Sequence, residues 1–273
     1  MTFVNLESLS ERLPALKKEW QDPGSYHTVV FDGLIYLSEQ EELVRSFPDC
    51  SWQNWQLISN SLQFKKRACD RIEVFPPPLA AVIHELYSSP FIKFLEKLTE
   101  IEGLLPDPHL WGGGLHCMER GGYLWPHTDF LQGHHPRLKR VINLVLYVHP
   151  RWTQEMGGNF ERWERSELGR SILPTPGRCV IFRTDANSTH AVSPINGDQV
   201  RQSIALFYYS VINKTDVSLD HTTGWRLNLK PSPASIRSGK LFYASLLMRC
   251  SLRLKQSAKY LNEKAERIVN SGQ

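Results

Sequence analysis

His127-Thr-Asp129 puts an imidazole and a carboxylate two residues apart in the run LWPHTDF. In an extended segment, side chains at i and i+2 point to the same side. The pair can then meet a single metal ion, although an HxD by itself is common by chance. His190 offers a third ligand. It follows the apolar run Cys179-Val-Ile-Phe182, within ANSTHAVSP, and so belongs near a strand end. Two histidines and one carboxylate leave about three coordination positions open, which is the facial set of a non-haem Fe(II) centre. A structural zinc site would be closed by four ligands, usually including cysteine.

Arg201 lies beyond His190 across a linker containing Asn196-Gly197, a strong hairpin signal. Arg201 is therefore expected on the antiparallel strand beside that of His190. Ser203 and Ala205 share its face and are small, which leaves a slot where a guanidinium can hold a carboxylate bidentately. In RVINLVLYV (140–148), Asn143, Val145 and Tyr147 fall on one face. If that face lines the interior, the Tyr147 phenol can donate to the same carboxylate. The alternative is a core tyrosine with a satisfied hydroxyl.

These side chains need a scaffold. From Pro106 to about Ile212 the chain shows short β-rich runs separated by Gly, Pro and Asn: 114–118, 139–148, 158–163, 170–173, 178–183, 189–192 and 200–210. That spacing suggests a sandwich or barrel, the jelly roll being one solution. Upstream, Ser38 is placed to cap a helix with Glu41 three residues on. Residues 79–99 carry Val82, Leu86, Phe91, Phe94, Leu95 and Leu98 at helical spacing, and a Ser-Ser-Pro break implies two helices in tandem. Residues 239–269 read as basic amphipathic helices with Leu241, Leu247, Leu252, Leu254, Leu261 and Ile268 on the apolar side. Three segments follow: 1–105 as a mixed, helical support region, 106–212 as the β core, and 213–273 as a basic C-terminal extension. The fold class is mainly β with packed helices (α+β).

With 41% hydrophobic and 22% charged residues, the chain can bury a large core without staples. It has no apolar run long enough for a transmembrane helix, and its N-terminus lacks a signal-peptide core. Its five cysteines are scattered, with no CxxC pair, which argues against a disulfide framework or a zinc knot. A reducing cytoplasm is the simplest home. Charge is uneven. Residues 221–273 carry ten Lys or Arg against two acids, so that stretch is +8 while the rest sums to −4. A basic tail on an acidic body suits an anionic partner, or else is a solvated helix face.

The stretches DPHLWGGGLHCMERGGYLWPHTDF (107–130), RVINLVLYVHPRW (140–152), GGNFERW (157–163) and PTPGRCVIF (174–182), followed by His190 and Arg201, resemble the prolyl-4-hydroxylase-like branch of the 2-oxoglutarate/Fe(II) dioxygenase superfamily. With a weaker upstream match the resemblance covers about 27–212. It implies a double-stranded β-helix with helices packed on one sheet, and iron on His127, Asp129 and His190. It implies 2-oxoglutarate chelating that iron, its distal carboxylate on Arg201 with Tyr147; Ser203 and Asn143, on the same faces as these two, are further cofactor-binding candidates. Dioxygen is the co-reactant, and ascorbate a candidate reductant. The reaction implied is oxidative decarboxylation to succinate and CO2 coupled to hydroxylation of an unactivated C–H bond. Related halogenases lack the carboxylate ligand, so Asp129 favours hydroxylation.

The metal motif is silent on substrate. The insert after Asp129, FLQGHHPRLKR, carries His134, His135, Arg137, Lys139 and Arg140, which could read a carboxylate or phosphate at the site's mouth, or form an ordinary polar loop. His116, Trp125 and Gln202 are further pocket candidates. The leading expectation is an anionic small molecule or glycolipid, such as the sugar acid Kdo of lipopolysaccharide. The tail would then touch an anionic membrane at its inner face. The alternatives are prolyl 4-hydroxylation of a protein and a non-catalytic cupin-like metal module, which would need no carboxylate clamp. Nucleic-acid binding is disfavoured by the lack of interleaved aromatics in the tail.

Overall fold

From Gly114 onward, strands with an apolar face on each side of the pleat dominate, and they must be covered on both faces. The computed structural model describes residues 2–132, 135, 137–164, 167–212, 223–226, 229, 250 and 254. In chain order the first elements are α1 (Leu6–Gln21), β1 (Thr28–Phe31), α2 (Leu37–Ser46), β2 (Gln56–Ile58), β3 (Gln63–Cys69), α3 (Pro77–Leu86), α4 (Ser89–Thr99) and β4 (Leu105–Pro106). Then come β5 (Gly114–Thr128), β6 (Leu138–Tyr147), β7 (Phe160–Glu164), β8 (Glu167–Ile172), β9 (Cys179–Arg183), β10 (His190–Val192), β11 (Arg201–Val211) and β12 (Gly224–Trp225).

The strand order is β1-β9-β6-β11-β5-β10-β7-β8, antiparallel throughout. The long strand β5 serves both halves. Its residues 114–118 pair with β11, and its later residues pair with β10. The curled sheet is the double-stranded β-helix expected from the sequence. It differs in one respect: the expected strand 114–118 continues to Thr128 and takes in the first metal-ligand candidate. The bend lies at Gly121, where φ is +82° and the N–H donates to Ile195 O at 2.7 Å. Glycine reaches that backbone region without steric cost.

Strand β6 shows how the faces are divided. Ile142, Leu144 and Leu146 face the helices, in one core with Leu206, Val82, Leu86, Phe91, Phe94, Leu95 and Leu98. Each such side chain contributes about 1.5–3 kcal/mol by leaving water. Asn143, Val145 and Tyr147 face the interior between the two halves. The tandem helices α3 and α4 lie where the apolar spacing put them, and the Tyr208 hydroxyl donates to Leu86 O at 2.8 Å, tying sheet to helix. The first 105 residues add strands as well as helices: β1 extends one edge beside β9, and β3 lies along β5.

Two local expectations are corrected. Helix α2 starts at Leu37 with Tyr36 as N-cap, not Ser38. The Glu39 N–H already bonds Tyr36 O, and the Ser38 hydroxyl turns to Glu39 instead. Asn196-Gly197 is no hairpin either. Strand β5 lies between β10 and β11, and neither turn residue has the positive φ of a primed two-residue turn. The segment crosses between the halves, held where Ile195 exchanges backbone hydrogen bonds with Gly121 and Gly122 and the Asn196 N–H meets Met156 O. The tail helices over 239–269 lie outside the described residues, apart from Cys250 and Leu254. Of the extension, β12 pairs with the end of β5.

Candidate active site

His127 lies near the end of β5 and His190 begins β10, directly opposite it in register. Between these strands Leu124 to His127 face only His190 to Val192, a β-bulge. A bulge changes which side chains face inward. Leu124 and His127 consequently both line the interior, while Trp125 turns out to pack with Leu62 and Tyr123 and donates to Arg226 O at 3.3 Å. Asp129 follows the strand.

The three candidate ligand atoms lie within 4.8 Å of one another. His127 Nε2 is 3.5 Å from Asp129 Oδ1, and His190 Nε2 is 3.7 Å from Asp129 Oδ2. His127 Nδ1 faces Trp125 O at 2.8 Å and His190 Nδ1 faces Ser188 O at 2.9 Å. Those carbonyls accept from Nδ1–H, so each Nε2 lone pair points at the shared space, as metal-bound histidines require. Burial, then the adjacent His127, pushes His190 down to about 3, so it is a neutral imidazole at neutral pH. Burial raises Asp129, but the facing histidines and Arg140 outweigh it and hold the carboxyl well below its usual range. Asn143 Nδ2 donates to Asp129 Oδ2 at 2.6 Å, and Arg140 Nη1 lies 3.3 Å from the same oxygen. These buried neighbours fix the carboxylate through Oδ2, with Oδ1 turned to His127 Nε2. The donor set therefore fits Fe(II).

A cavity of about 100 Å³ connects the triad to Arg201. Its walls include Met118, Leu124, Val145, Phe160, Phe182 and Val192, with Ser203 and Ala205 beside Arg201. The buried guanidinium is gripped from behind: Nε donates to Gly158 O at 2.8 Å and Nη2 to the Tyr147 hydroxyl at 3.2 Å. Gly158 has φ +68°, and a Cβ there would stand 3.2 Å from Arg201 Cδ. This cradle suits the distal carboxylate of 2-oxoglutarate. Burial raises the Tyr147 phenol, so it stays protonated and can donate.

His116 lines the same cavity. Its Nε2 has no partner, and burial together with Lys66 and Arg201 holds it well below the usual histidine range. Gln202, one residue on from Arg201, pairs with Cys117 on β5 and faces away, its N–H directed at His149 Nδ1. The loop cations are not gathered in: His135 and Arg137 are exposed, Lys139 is half-buried, and none lines the cavity. His134 lies outside the described residues.

Two residues take parts that the sequence did not suggest. Arg140 belongs to no polar loop: it is fully buried between Phe130, 4.0 Å away, and Phe207, 3.4 Å away, and backs Asp129. Lys66 of β3 also lines the cavity. In sequence it sits in QFKKRAC, which reads as a solvated edge, and alternation alone gave no signal for it.

A sequence profile of the 2OG-Fe(II) oxygenase superfamily matches residues 113–209. The mouse prolyl 3-hydroxylase OGFOD1 (Mus musculus) is 29% identical over 90 residues, which is 30% of this chain and 16% of that protein. The chain thus spans a small part of this relative's length. Among solved structures, a prolyl hydroxylase of Trichoplax adhaerens, in complex with a hypoxia-inducible-factor peptide fragment, has a TM-score of 0.53 at 14% identity, covering 75% of this chain and 91% of that one. The epimerase SnoN from nogalamycin biosynthesis, in complex with Fe3+, alpha-ketoglutarate and nogalamycin RO, has a TM-score of 0.52 at 11% identity, covering 79% and 96%. At these identities the likeness is one of fold. The profile spans the strands that carry both the triad and Arg201, and the cofactors of that superfamily, Fe(II) and 2-oxoglutarate, are the ones the donor set and the cradle fit. Residues 113–209 therefore resemble the 2OG-Fe(II) oxygenase superfamily in sequence profile, and topology and donor chemistry point the same way.

Proposed function

We propose that the chain is an Fe(II)/2-oxoglutarate-dependent hydroxylase acting on an unactivated C–H bond. The observation that carries this is a three-ligand set with open positions sharing one cavity with a buried arginine. When bound, iron and 2-oxoglutarate supply the oxidation: dioxygen is consumed, the cosubstrate becomes succinate and CO2, and one oxygen atom ends in the substrate's hydroxyl group.

The protein's own part is positioning. His127, Asp129 and His190 would hold the metal. Arg201, with Tyr147 and Ser203, would hold the distal carboxylate, so that the 2-oxo end meets the metal. Asn143 and Arg140 keep Asp129 aimed. Phe160, Phe182, Leu124 and Val192 keep bulk water out, which strengthens every charge interaction inside. A merely structural metal would need no carboxylate clamp, which speaks against a cupin-like binding module.

The substrate class we favour is an anionic small molecule or sugar acid, Kdo being one candidate, with ascorbate as a candidate reductant. A second reading, hydroxylation of a prolyl residue in a protein, is favoured by the activities of the mouse prolyl 3-hydroxylase OGFOD1 and of the Trichoplax prolyl hydroxylase. Iron-loaded protein with 2-oxoglutarate and oxygen should form succinate even without substrate. If no succinate appears with any substrate, the enzyme reading fails.

A further inference from the structure

Two long cationic side chains line the cavity, and only one is engaged. Arg201 is bound to Gly158 and Tyr147. Lys66 is half-buried, and its ammonium has no hydrogen bond or ion pair among the described residues. Its inward aim is built by the backbone. Lys65 holds φ +51°, a left-handed conformation that a non-glycine residue rarely adopts, and the β3 register slips there so that Phe64 faces Tyr123 but Lys66 faces Met118. The Lys65 ammonium donates to Arg120 O at 2.9 Å, pinning the kink to the bend of β5. Met118 in turn faces Arg201 on β11. Lys66, Met118 and Arg201 thus form one row across three strands.

An ammonium so placed is costly without a partner, and a methionine or leucine would fill the space better. Burial draws Lys66 down to about 8, opposed by Asp129. Backbone outliers of this kind cluster at active sites and ligand clamps. Charge says what is missing. Fe(II), the Asp129 carboxylate and the 2-oxoglutarate dianion sum to one negative charge, which Arg201 matches. Arg140, paired with Asp129, and Lys66 then leave the centre positive.

We propose that Lys66 anchors an anionic group, a carboxylate or a phosphate, of the primary substrate beside the iron, while Arg201 keeps the cosubstrate. This rests on the oxygenase reading above and narrows its substrate class.

The test uses the wild-type full chain loaded with Mn(II) and 2-oxoglutarate. Lysines are trace-acetylated with acetic anhydride near pH 8, and labelling is read by mass spectrometry residue by residue. Inorganic phosphate and acetate are added in separate arms, against chloride of equal ionic strength. One of them should slow Lys66 labelling about threefold once it reaches roughly twice its Kd, leaving surface lysines unchanged. Which arm protects tells phosphate from carboxylate. If neither anion slows labelling, the proposal falls. It falls equally if Mn(II) and 2-oxoglutarate alone abolish labelling, because Lys66 then serves the cosubstrate.

A second measurement follows succinate formation stimulated by Kdo, by glucose 6-phosphate or by an uncharged proline tripeptide in iron-loaded protein. Lys66→Met should raise the apparent KM of an anionic stimulator about tenfold, and Lys66→Arg should restore it. Equal stimulation of wild type and Lys66→Met by the uncharged peptide overturns the proposal. Absence of all succinate from wild type would sink the oxygenase reading instead, with the labelling result standing by itself.

Discussion

At the residue scale, the imidazoles are set before any metal arrives, because each Nδ1–H is spent on a carbonyl two residues back. His127→Ala should therefore abolish Mn(II) binding in calorimetry while the far-UV circular dichroism is unchanged. A variant that still binds one ion tightly would show that the triad is not the metal site. Asn143 holds Asp129 without being a ligand. Asn143→Leu should weaken metal affinity about 10–100-fold, the usual effect of losing such an outer partner. Arg201→Ala removes a buried charge from the cosubstrate's far end. Losses of about 2–5 kcal/mol are usual for truncating one partner of a buried charge pair, so the KM for 2-oxoglutarate in a succinate assay should rise at least tenfold. An unchanged KM would remove the carboxylate role. Gly158→Ala should move the same parameter in the same direction, because its Cβ presses on the Arg201 side chain.

At the element scale, β6 and the loop after it separate stability from chemistry. From Ile142 onward, past the bulge, the even residues of β6 serve the core and the odd ones serve the cavity. Leu144→Ala, on the core side, should cost about 2–5 kcal/mol in urea unfolding with little change in the KM for 2-oxoglutarate. A large KM change would mean that the two faces are coupled. His149, two residues past β6, pins the loops around it: Nε2–H meets Pro174 O at 2.6 Å and Nδ1 faces the Gln202 N–H. Burial lowers this histidine to about 4, with the nearby Arg201 adding to the effect. The unfolded chain, with an ordinary histidine near 6.5, therefore binds more protons between those values. The stability from His149 is present above about pH 6.5 and is lost as pH falls towards 4, by at most about 1.4 kcal/mol per pH unit. His149→Gln should flatten that part of the stability-against-pH curve. A wild-type slope that survives the substitution intact would put its source elsewhere.

At the scale of the whole molecule, a mildly acidic body bears a strongly basic extension. No helix among the described residues is long and apolar enough to cross a membrane. One short piece of the extension does reach the site: Trp225 of β12 lies with its ring 5.1 Å from that of His127. Deleting 239–273 leaves this piece in place. The deletion should weaken binding to vesicles of anionic lipid in a salt-dependent way, because exposed charges are screened beyond about 8–10 Å at physiological ionic strength. Binding lost equally at low and high salt would assign the tail to packing instead.

Much of this was written in local sequence. The β runs, the tandem helices and the inward face of Asn143, Val145 and Tyr147 follow from periods of 2 and 3.6, which each residue's neighbours impose without reference to the rest of the chain. His127, Asp129, His190 and Arg201 were legible because their residue types admit little other chemistry in that order. Tertiary structure decided everything that depends on a broken period or on distant pairing. The bulge after Leu124 turned Trp125 out and His127 in, and the kink at Lys65 turned Lys66 in. The crossing at Ile195 put β5 between His190 and Arg201, where a hairpin had been expected. The bulge in β6 opposite Tyr208 and Tyr209 brought Arg140 behind Asp129. A one-residue slip reverses every side chain after it, and the slip is set by the strand opposite, which lies tens of residues away in the chain.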